Sequence, residues 1–109
     1  MKRSRYVVVL MTAPHGRTAR LLARTLVQKR LAACVNIVPK VRSVYRWKGK
    51  IEEAGESLLI AKTESRRLSE LAREVRRIHP YTVPEIIALP LSGGHADYLR
   101  WVTDCIQGR

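Results

Sequence analysis

Residues 41–63 have the sequence VRSVYRWKGKIEEAGESLLIAKT, and this stretch decides the fold. In its first part, Val41, Tyr45 and Trp47 lie at alternate positions, so their side chains share one face of a β-strand. Residues 48–50 (KGK) then form a short turn in which the glycine can take a positive φ angle. The chain returns as a second strand over residues 51–63. The stretch therefore predicts a long antiparallel hairpin.

Strands and helices alternate on both sides of this hairpin. The continuous apolar run 6–11 predicts a strand covered on both faces. Apolar residues at three- and four-residue steps predict a helix from residue 17 to about 31. A second helix follows the hairpin and stops at His79, because the residue before a proline disfavours helical geometry. A last buried strand is predicted over 85–89 and a terminal helix over 97–106.

This order predicts an α/β (α+β) fold: a ferredoxin-like βαββαβ sandwich with a long central hairpin and an extra C-terminal helix. A chain of 109 residues fits one domain, so we expect residues 1–109 to form a single domain with its core at about 6–107. The aliphatic runs can fill that core, although the sequence contains no phenylalanine.

The charge is strongly unbalanced, with 21 basic and 9 acidic residues and a net charge of +12. Such a balance favours anionic partners. One hypothesis is therefore a basic ferredoxin-like module that binds nucleic acid or another anion. The predicted strands 7–11 and 85–89 offer no aromatic face for stacking bases. We therefore expect any nucleic-acid binding to be non-specific and to weaken with salt.

The cellular location is predicted from the cysteines and from the start of the chain. Two cysteines in a domain with an adequate core favour reduced thiols over a disulfide framework. The apolar run 6–11 is too short for the core of a secretory leader, and we see no apolar stretch long enough to span a membrane. We therefore expect a cytoplasmic protein with no membrane partner.

Four blocks of the sequence resemble the CutA (divalent-cation-tolerance) family, in that family's order. They are VVVLMTAP at 7–14, LAACVNIVP at 31–39, YRWKGKI at 45–51 and HPYTVPEII at 79–87. The resemblance implies a homotrimer with inter-subunit sheet pairing and an architecture similar to the PII signalling proteins. It also implies a role in divalent metal ion tolerance, with copper or another divalent cation as the bound ion. It implies no organic cofactor.

The hairpin gives the trimer separate physical support. Its strands are longer than the predicted helices can cover, so Val44, Tyr45 and Trp47 would be exposed beside an unpaired strand edge. A neighbouring subunit would bury them, and we predict that these residues lie in the trimer interface. The alternative is a hairpin arm that simply projects into solvent.

The resemblance also indicates a metal site. Some relatives have a cysteine at the position of Met11 and a His-His pair where this chain has Ile78 and His79. By this reading, Met11 and His79 are the metal ligands, since copper accepts thioether and imidazole ligands. The alternative for His79 is a cap at the helix C-terminus, where the helix dipole favours it.

A further set of residues is predicted to line an inter-subunit cleft. Lys62 and Glu85 lie at strand ends, where a charged side chain can be buried and paired. The alternative is an ordinary surface ion pair. In a CutA-like trimer such positions form the rim of a cleft, and clefts with convergent polar and aromatic groups are common ligand sites. The predicted cleft residues are Asn36, Trp47, Lys62, Tyr81 and Glu85. We see neither a catalytic triad nor a phosphate-binding glycine loop, and we predict that the protein is not an enzyme.

Overall fold

The computed structural model describes residues 4–14 and 16–107, which form a four-stranded sheet and three α-helices. The elements occur in the predicted order. They are β1 (Tyr6–Ala13), α1 (Arg17–Gln28), β2 (Cys34–Trp47), β3 (Lys50–Glu64), a 3₁₀ turn (Ser65–Arg67), α2 (Leu68–Ile78), β4 (Ile86–Pro90) and α3 (Ala96–Ile106). The ferredoxin-like arrangement with its extra C-terminal helix is therefore confirmed.

The sheet is antiparallel throughout, in the order β2-β3-β1-β4. Odd-numbered residues of β1 point towards α1 and α2, and Val7, Val9 and Met11 are buried there with the apolar faces of both helices. Even-numbered residues of β1 point to the opposite face. Helix α3 covers only one end of that face, where Tyr6 lies. The rest of it, which we call the open sheet face, has no helix over it from the described part of the chain.

Two predictions about burial are wrong for the single chain. Residues 6–11 were expected to be covered on both faces, but Val8 and Leu10 are only partly buried. Residues 85–89 were expected to form a buried strand, but β4 is an edge strand in which Ile87 and Leu89 are 52% and 50% exposed. A continuous apolar run indicates cover on both sides. In the part of the chain that the structure describes, the second cover is absent.

The hairpin of β2 and β3 is as long as predicted. It pairs from Cys34 opposite Lys62 to Trp47 opposite Lys50, with a register shift between Val38 and Val41. Pro39 lies at this bulge, one of the few places where a sheet accepts proline. At the tip, Lys48 and Gly49 both have positive φ angles (51° and 79°), as a tight two-residue hairpin turn requires.

Helix α1 ends at Gln28, three residues earlier than predicted. Arg30 has a φ of 58°, and the N–H of Leu31 donates to the carbonyl oxygen of Leu26. This is a Schellman-type helix end in which an arginine takes the place usually held by glycine. Helix α2 ends at Ile78, and His79 is extended with a ψ of 135°, as the following proline predicts.

Helix α3 is held on the sheet by a buried polar network as well as by apolar contacts. Val102 and Ile106 pack against Ala33. Beside them, the carboxylate of Glu64 accepts a hydrogen bond from the Thr103 hydroxyl at 2.5 Å, and Thr103 also contacts the Tyr6 hydroxyl at 2.7 Å. These contacts fix the position of α3 across one end of the open sheet face.

Candidate functional sites

His79 is held between β1 and the loop that follows α2. Its Nε2 lies 2.8 Å from the carbonyl oxygen of Thr12, and its Nδ1 accepts a hydrogen bond from the backbone N–H of Tyr81 at 3.1 Å. A carbonyl can only accept, so Nε2 is the donor in the first of these contacts and Nδ1 is the acceptor in the second. The side chain is buried, with 6% exposed. His79 therefore joins two segments of backbone and has both ring nitrogens occupied.

Tyr81 and Glu56 form a second contact next to this histidine. The Tyr81 hydroxyl donates to Oε2 of Glu56 at 2.9 Å, and the tyrosine ring lies 4.6 Å from the His79 ring, centre to centre. Burial, together with the neighbouring Glu56 carboxylate, raises the pKa of Tyr81 to about 12. The buried Glu56 was not predicted, since it ends the hydrophilic segment 52–56. One sign of this burial is present in the sequence. Side chains alternate between the two faces of a strand, so Glu56 shares a face of β3 with the apolar Leu58 and Ile60.

The two predicted metal ligands do not offer free ligand atoms in this chain. Met11 is fully buried in the core beneath the helices. Both nitrogens of His79 are engaged in hydrogen bonds. Among residues 4–14 and 16–107 there is also no group of three or more His, Cys, Asp or Glu side chains that could hold a metal ion. These residues do not fit a resident metal, and the Met11–His79 site stays a prediction that the geometry disfavours.

Lys62 lies on the open sheet face, at the end nearer to α3. Its Nζ donates to the Cys34 thiol at 3.8 Å, and this is its only side-chain hydrogen bond within the described residues. Asn36 lies two residues along the same strand face as Cys34. Burial, together with the nearby Cys34 thiol, raises the pKa of Tyr98. The structure thus adds Cys34 and Tyr98 to the predicted pair of Lys62 and Asn36.

The predicted cleft is not assembled within one chain. Lys62 lies six positions along β3 from Glu56, the partner of Tyr81, a distance of roughly 20 Å along a strand. Trp47 is opposite Lys50 at the hairpin tip, roughly 40 Å from Lys62 by the same measure. Glu85 is exposed and makes no side-chain hydrogen bond or ion pair with other described residues. One chain therefore provides two separate polar groups and an aromatic tip.

The residues predicted for the trimer interface are exposed at that tip. The exposed fractions of Val44, Tyr45 and Trp47 are 63%, 43% and 46%. Ile51, on the opposite strand, is 69% exposed. This exposure agrees with the reasoning that led to the interface prediction. The burial of the hairpin by a second subunit stays a prediction. No helix in the described part of the chain has the length and hydrophobicity needed to cross a membrane.

Comparisons with known proteins place these features in a family. Residues 7–105 match the family model described as CutA1 divalent ion tolerance protein. The chain is 50% identical over 97 residues to the divalent-cation tolerance protein CutA of Thermus thermophilus, covering 89% of this chain and 94% of that protein. The crystal structure of CutA1 from Oryza sativa superposes with a TM-score of 0.93 at 41% identity, covering 98% of each chain.

A third comparison concerns the structure titled periplasmic divalent cation tolerance protein CutA, from Archaeoglobus fulgidus. It has a TM-score of 0.91 and 39% identity, and the match covers 94% of this chain and 99% of that one. Sequence identity at this level, shared fold and near-complete coverage agree with one another. This chain belongs to the CutA1 divalent ion tolerance family.

Proposed function

We propose that this protein acts as a homotrimer of PII-like architecture whose function in divalent-cation tolerance depends on clefts between its subunits. The observation that carries the proposal is the open sheet face. Apart from the end under α3, its side chains are mainly aliphatic. The aliphatic residues of this face are Val8, Leu10, Val38, Leu58, Ile60, Ile87 and Leu89.

A face of this kind is unfavourable in a monomer. Burying apolar surface contributes roughly 25 cal/mol per Å², and contiguous exposed apolar patches of this kind usually mark interfaces. The strands also carry the near-continuous apolar sequence of a sheet that is covered on both sides. The missing cover is supplied, in this proposal, by the open sheet faces of two other copies.

The two edges of the sheet support a ring. One edge is β2 and the other is β4, and the backbone groups along the outer side of each have no partner strand within residues 4–14 and 16–107. If β2 of one copy pairs with β4 of the next, the contact joins unlike surfaces, and such head-to-tail contacts close into cyclic assemblies. Three copies is the number that the resemblance to CutA proteins implies.

Assembly would also complete the cleft. The hairpin tip of one subunit can reach the neighbouring subunit, which would place Trp47 beside polar groups that one chain leaves apart. We propose that the cleft is lined by Asn36, Lys62, Tyr81 and Glu85 with Trp47 from the adjacent subunit, and that copper or another divalent cation is the ion it serves. We assign it no catalytic activity and place it in the cytoplasm, where its two free cysteines stay reduced.

Native mass spectrometry tests the assembly directly. The wild-type protein should have three times the 12.4 kDa mass of the chain. Ile87→Glu introduces a charge into the proposed interface and should give monomers. Leu21→Glu is the matched control, since Leu21 on α1 is 51% exposed and Ile87 is 52% exposed, and it should leave the trimer intact. A monomeric wild type, or equal effects of the two substitutions, would contradict the proposal.

The cleft is tested on the assembled protein. Copper uptake by the trimer, counted by native mass spectrometry, should fall in Lys62→Met while the trimer mass is retained. In Trp47→Ala uptake is counted only on the trimer that remains, because Trp47 also lies in the predicted interface, and there too it should fall. Met11→Leu should leave uptake unchanged, because Met11 is a core residue in this fold. Loss of uptake in Met11→Leu alone would instead support the Met11–His79 site.

A further inference from the structure

Helix α1 carries an unbalanced charge that its own stability does not explain. It contains no acidic residue, and its three arginines, Arg17, Arg20 and Arg24, are all exposed. Arg17 is the first residue of the helix, where the positive end of the helix dipole disfavours a cation. No basic residue lies in the last turn, where the dipole would favour one. The arginines therefore require another explanation.

Helix α2 adds to this charge on the same side of the sheet. Its acidic residues are already neutralised, Glu70 by Arg67 and Glu74 by Lys29 and Arg77. The hydrogen bonds from Arg77 and Lys29 lower the pKa of Glu74 to about 2, so this carboxylate stays ionised and paired at neutral pH. Arg73 and Arg76 have no such partner among the residues that the structure describes.

All nine acidic side chains of the protein lie in the part of the chain that the structure describes. Five arginines on α1 and α2 have no carboxylate within 4.0 Å among the described residues. We call these five the arginine face: Arg17, Arg20, Arg24, Arg73 and Arg76.

The two helices lie on the same side of the sheet, so the arginine face comprises two sets of cations on that side: Arg20 and Arg24 border a groove between α1 and β2, and Arg73 and Arg76 border one between α2 and β4. Leu22 and Leu26 of α1 share a core cluster with Leu71 and Val75 of α2, against the same strands. Packed helices are 8–10 Å apart, and Arg17 and Arg24 are separated by roughly 10 Å along α1. The two sets thus flank the helix layer, and a duplex that lies across both helices can contact them through separate phosphates.

The chemistry of this surface favours duplex over single-stranded nucleic acid. Proteins that bind single strands combine cations with aromatic side chains on which bases stack. Neither α1 nor α2 contains Trp, Tyr or Phe. What remains is guanidinium groups, which contact phosphate oxygens but do not specify sequence unless they reach base edges.

We propose that the arginine face binds the phosphate backbone of double-stranded nucleic acid without reading its sequence. The open sheet face proposed for assembly lies on the opposite side of the sheet, so the two functions use different surfaces. A trimer formed through the open sheet face would present three arginine faces outwards.

The release of counterions from the DNA determines how steeply duplex binding should depend on salt and how much each arginine should contribute. Each phosphate contact changes the slope of log K against log salt by about −0.9 on B-form DNA, so five contacts give a slope of about −4.5. Replacing three arginines should reduce the slope by about 2.7 and weaken binding roughly 500-fold at 0.1 M salt. Two unrelated duplexes should bind equally, since no base contact is involved.

The experiment is fluorescence anisotropy with a 24-base-pair DNA duplex, titrated at several salt concentrations. The test variant is Arg17→Gln/Arg20→Gln/Arg24→Gln. The matched control is Lys40→Gln/Lys48→Gln/Lys50→Gln, which removes the same charge from exposed positions on the hairpin. The arginine variant should show the predicted reductions in salt slope and in affinity for the duplex. The lysine control should retain most of the wild-type slope and affinity. Native mass spectrometry and circular dichroism confirm that both variants keep the assembly and the helices. If the triple arginine variant does not fold, Arg24→Gln alone should reduce the slope by about 0.9.

Several outcomes would overturn the proposal. Equal losses in the two variants would show a response to total charge rather than to this surface. No binding at 50 mM salt, or tighter binding to the single strand than to the duplex, would also refute it. Because Leu21 and Val27 are exposed on α1, vesicles of anionic lipid are a necessary comparison. Binding to these vesicles without binding to the duplex would assign the arginine face to a membrane surface instead.

Discussion

The carboxylate of Glu64 stabilises the position of α3, and its removal tests how much a buried charge contributes to this fold. Its side chain is only 1% exposed. It accepts hydrogen bonds from Thr103 at 2.5 Å, from Nε of Arg66 at 2.6 Å and from Nε of Arg5 at 3.0 Å. Burial alone would raise the pKa of Glu64, but these three donors outweigh it and hold the pKa below its usual value.

Glu64→Gln keeps the shape of the side chain and removes its charge. The two arginines are 63% and 51% exposed, so solvent screens their ion pairs and each contributes at most about 1 kcal/mol. The buried Thr103 loses a charge-assisted hydrogen bond, about another 1 kcal/mol. The free energy of unfolding should therefore fall by about 2–3 kcal/mol, and amide hydrogen exchange should accelerate in α3.

Glu70→Gln is the matched control, because Glu70 makes one ion pair, with Arg67, and is 53% exposed. Urea unfolding at pH 7 and one fixed protein concentration should show a loss below about 1 kcal/mol for this variant. The reasoning would be refuted if Glu64→Gln cost no more than Glu70→Gln. A carboxylate with a lowered pKa stabilises the fold above its ordinary pKa near 4.5. The difference between wild type and Glu64→Gln should thus be constant from pH 6 to 8 and shrink below about pH 4.5.

Three further predictions concern other elements of the fold. Spectrophotometric titration should show one tyrosine ionising at about pH 12; Glu56→Gln should move that pKa towards 10, because it removes the carboxylate beside Tyr81. Met11→Ala should reduce the free energy of unfolding by about 2–5 kcal/mol through a core cavity, whereas Met11→Leu should cost less than about 1.5 kcal/mol in the same urea assay. Gly49→Ala should cost about 1–2 kcal/mol, measured in the same way, because its φ of 79° strains a side chain, and Gly49→Asn should cost less.

The fold was predictable because local patterns and long-range contacts agree in this sequence. Alternation over residues 41–47 and the KGK turn give the hairpin, and His79 before a proline gives the end of α2. The end of α1 was not predictable in the same way. It depends on a positive φ at Arg30, a conformation that sequence patterns associate with glycine.

The candidate site was only partly predictable, because its contacts join residues that are far apart in sequence. His79 was recognised as a helix cap or a ligand, but its bond to the Thr12 carbonyl, 67 residues earlier, has no local signal. Glu56 lies in a hydrophilic segment that suggests exposure, yet it is buried under Tyr81. Cys34 and Tyr98 likewise meet only because α3 crosses the end of the sheet.

Aliphatic residues lie on one side of the sheet and most cations lie elsewhere, and this separation explains how a chain of net charge +12 can assemble. The cations lie mainly on the outer helix surface and along the hairpin arm, whereas Lys62 is the one basic residue on that face where β1, β3 and β4 lie side by side in the described part of the chain. Association through that face buries aliphatic side chains while it brings together few like charges, so its free energy is dominated by a term that does not depend on salt. Binding by the arginine face, in contrast, consists almost entirely of a salt-dependent term.

Raising the salt concentration from 50 to 500 mM should therefore release a bound duplex and leave the trimer intact. If the trimer dissociated over the same range as the duplex, the division of the molecule into an apolar assembly face and a cationic outer face would be wrong.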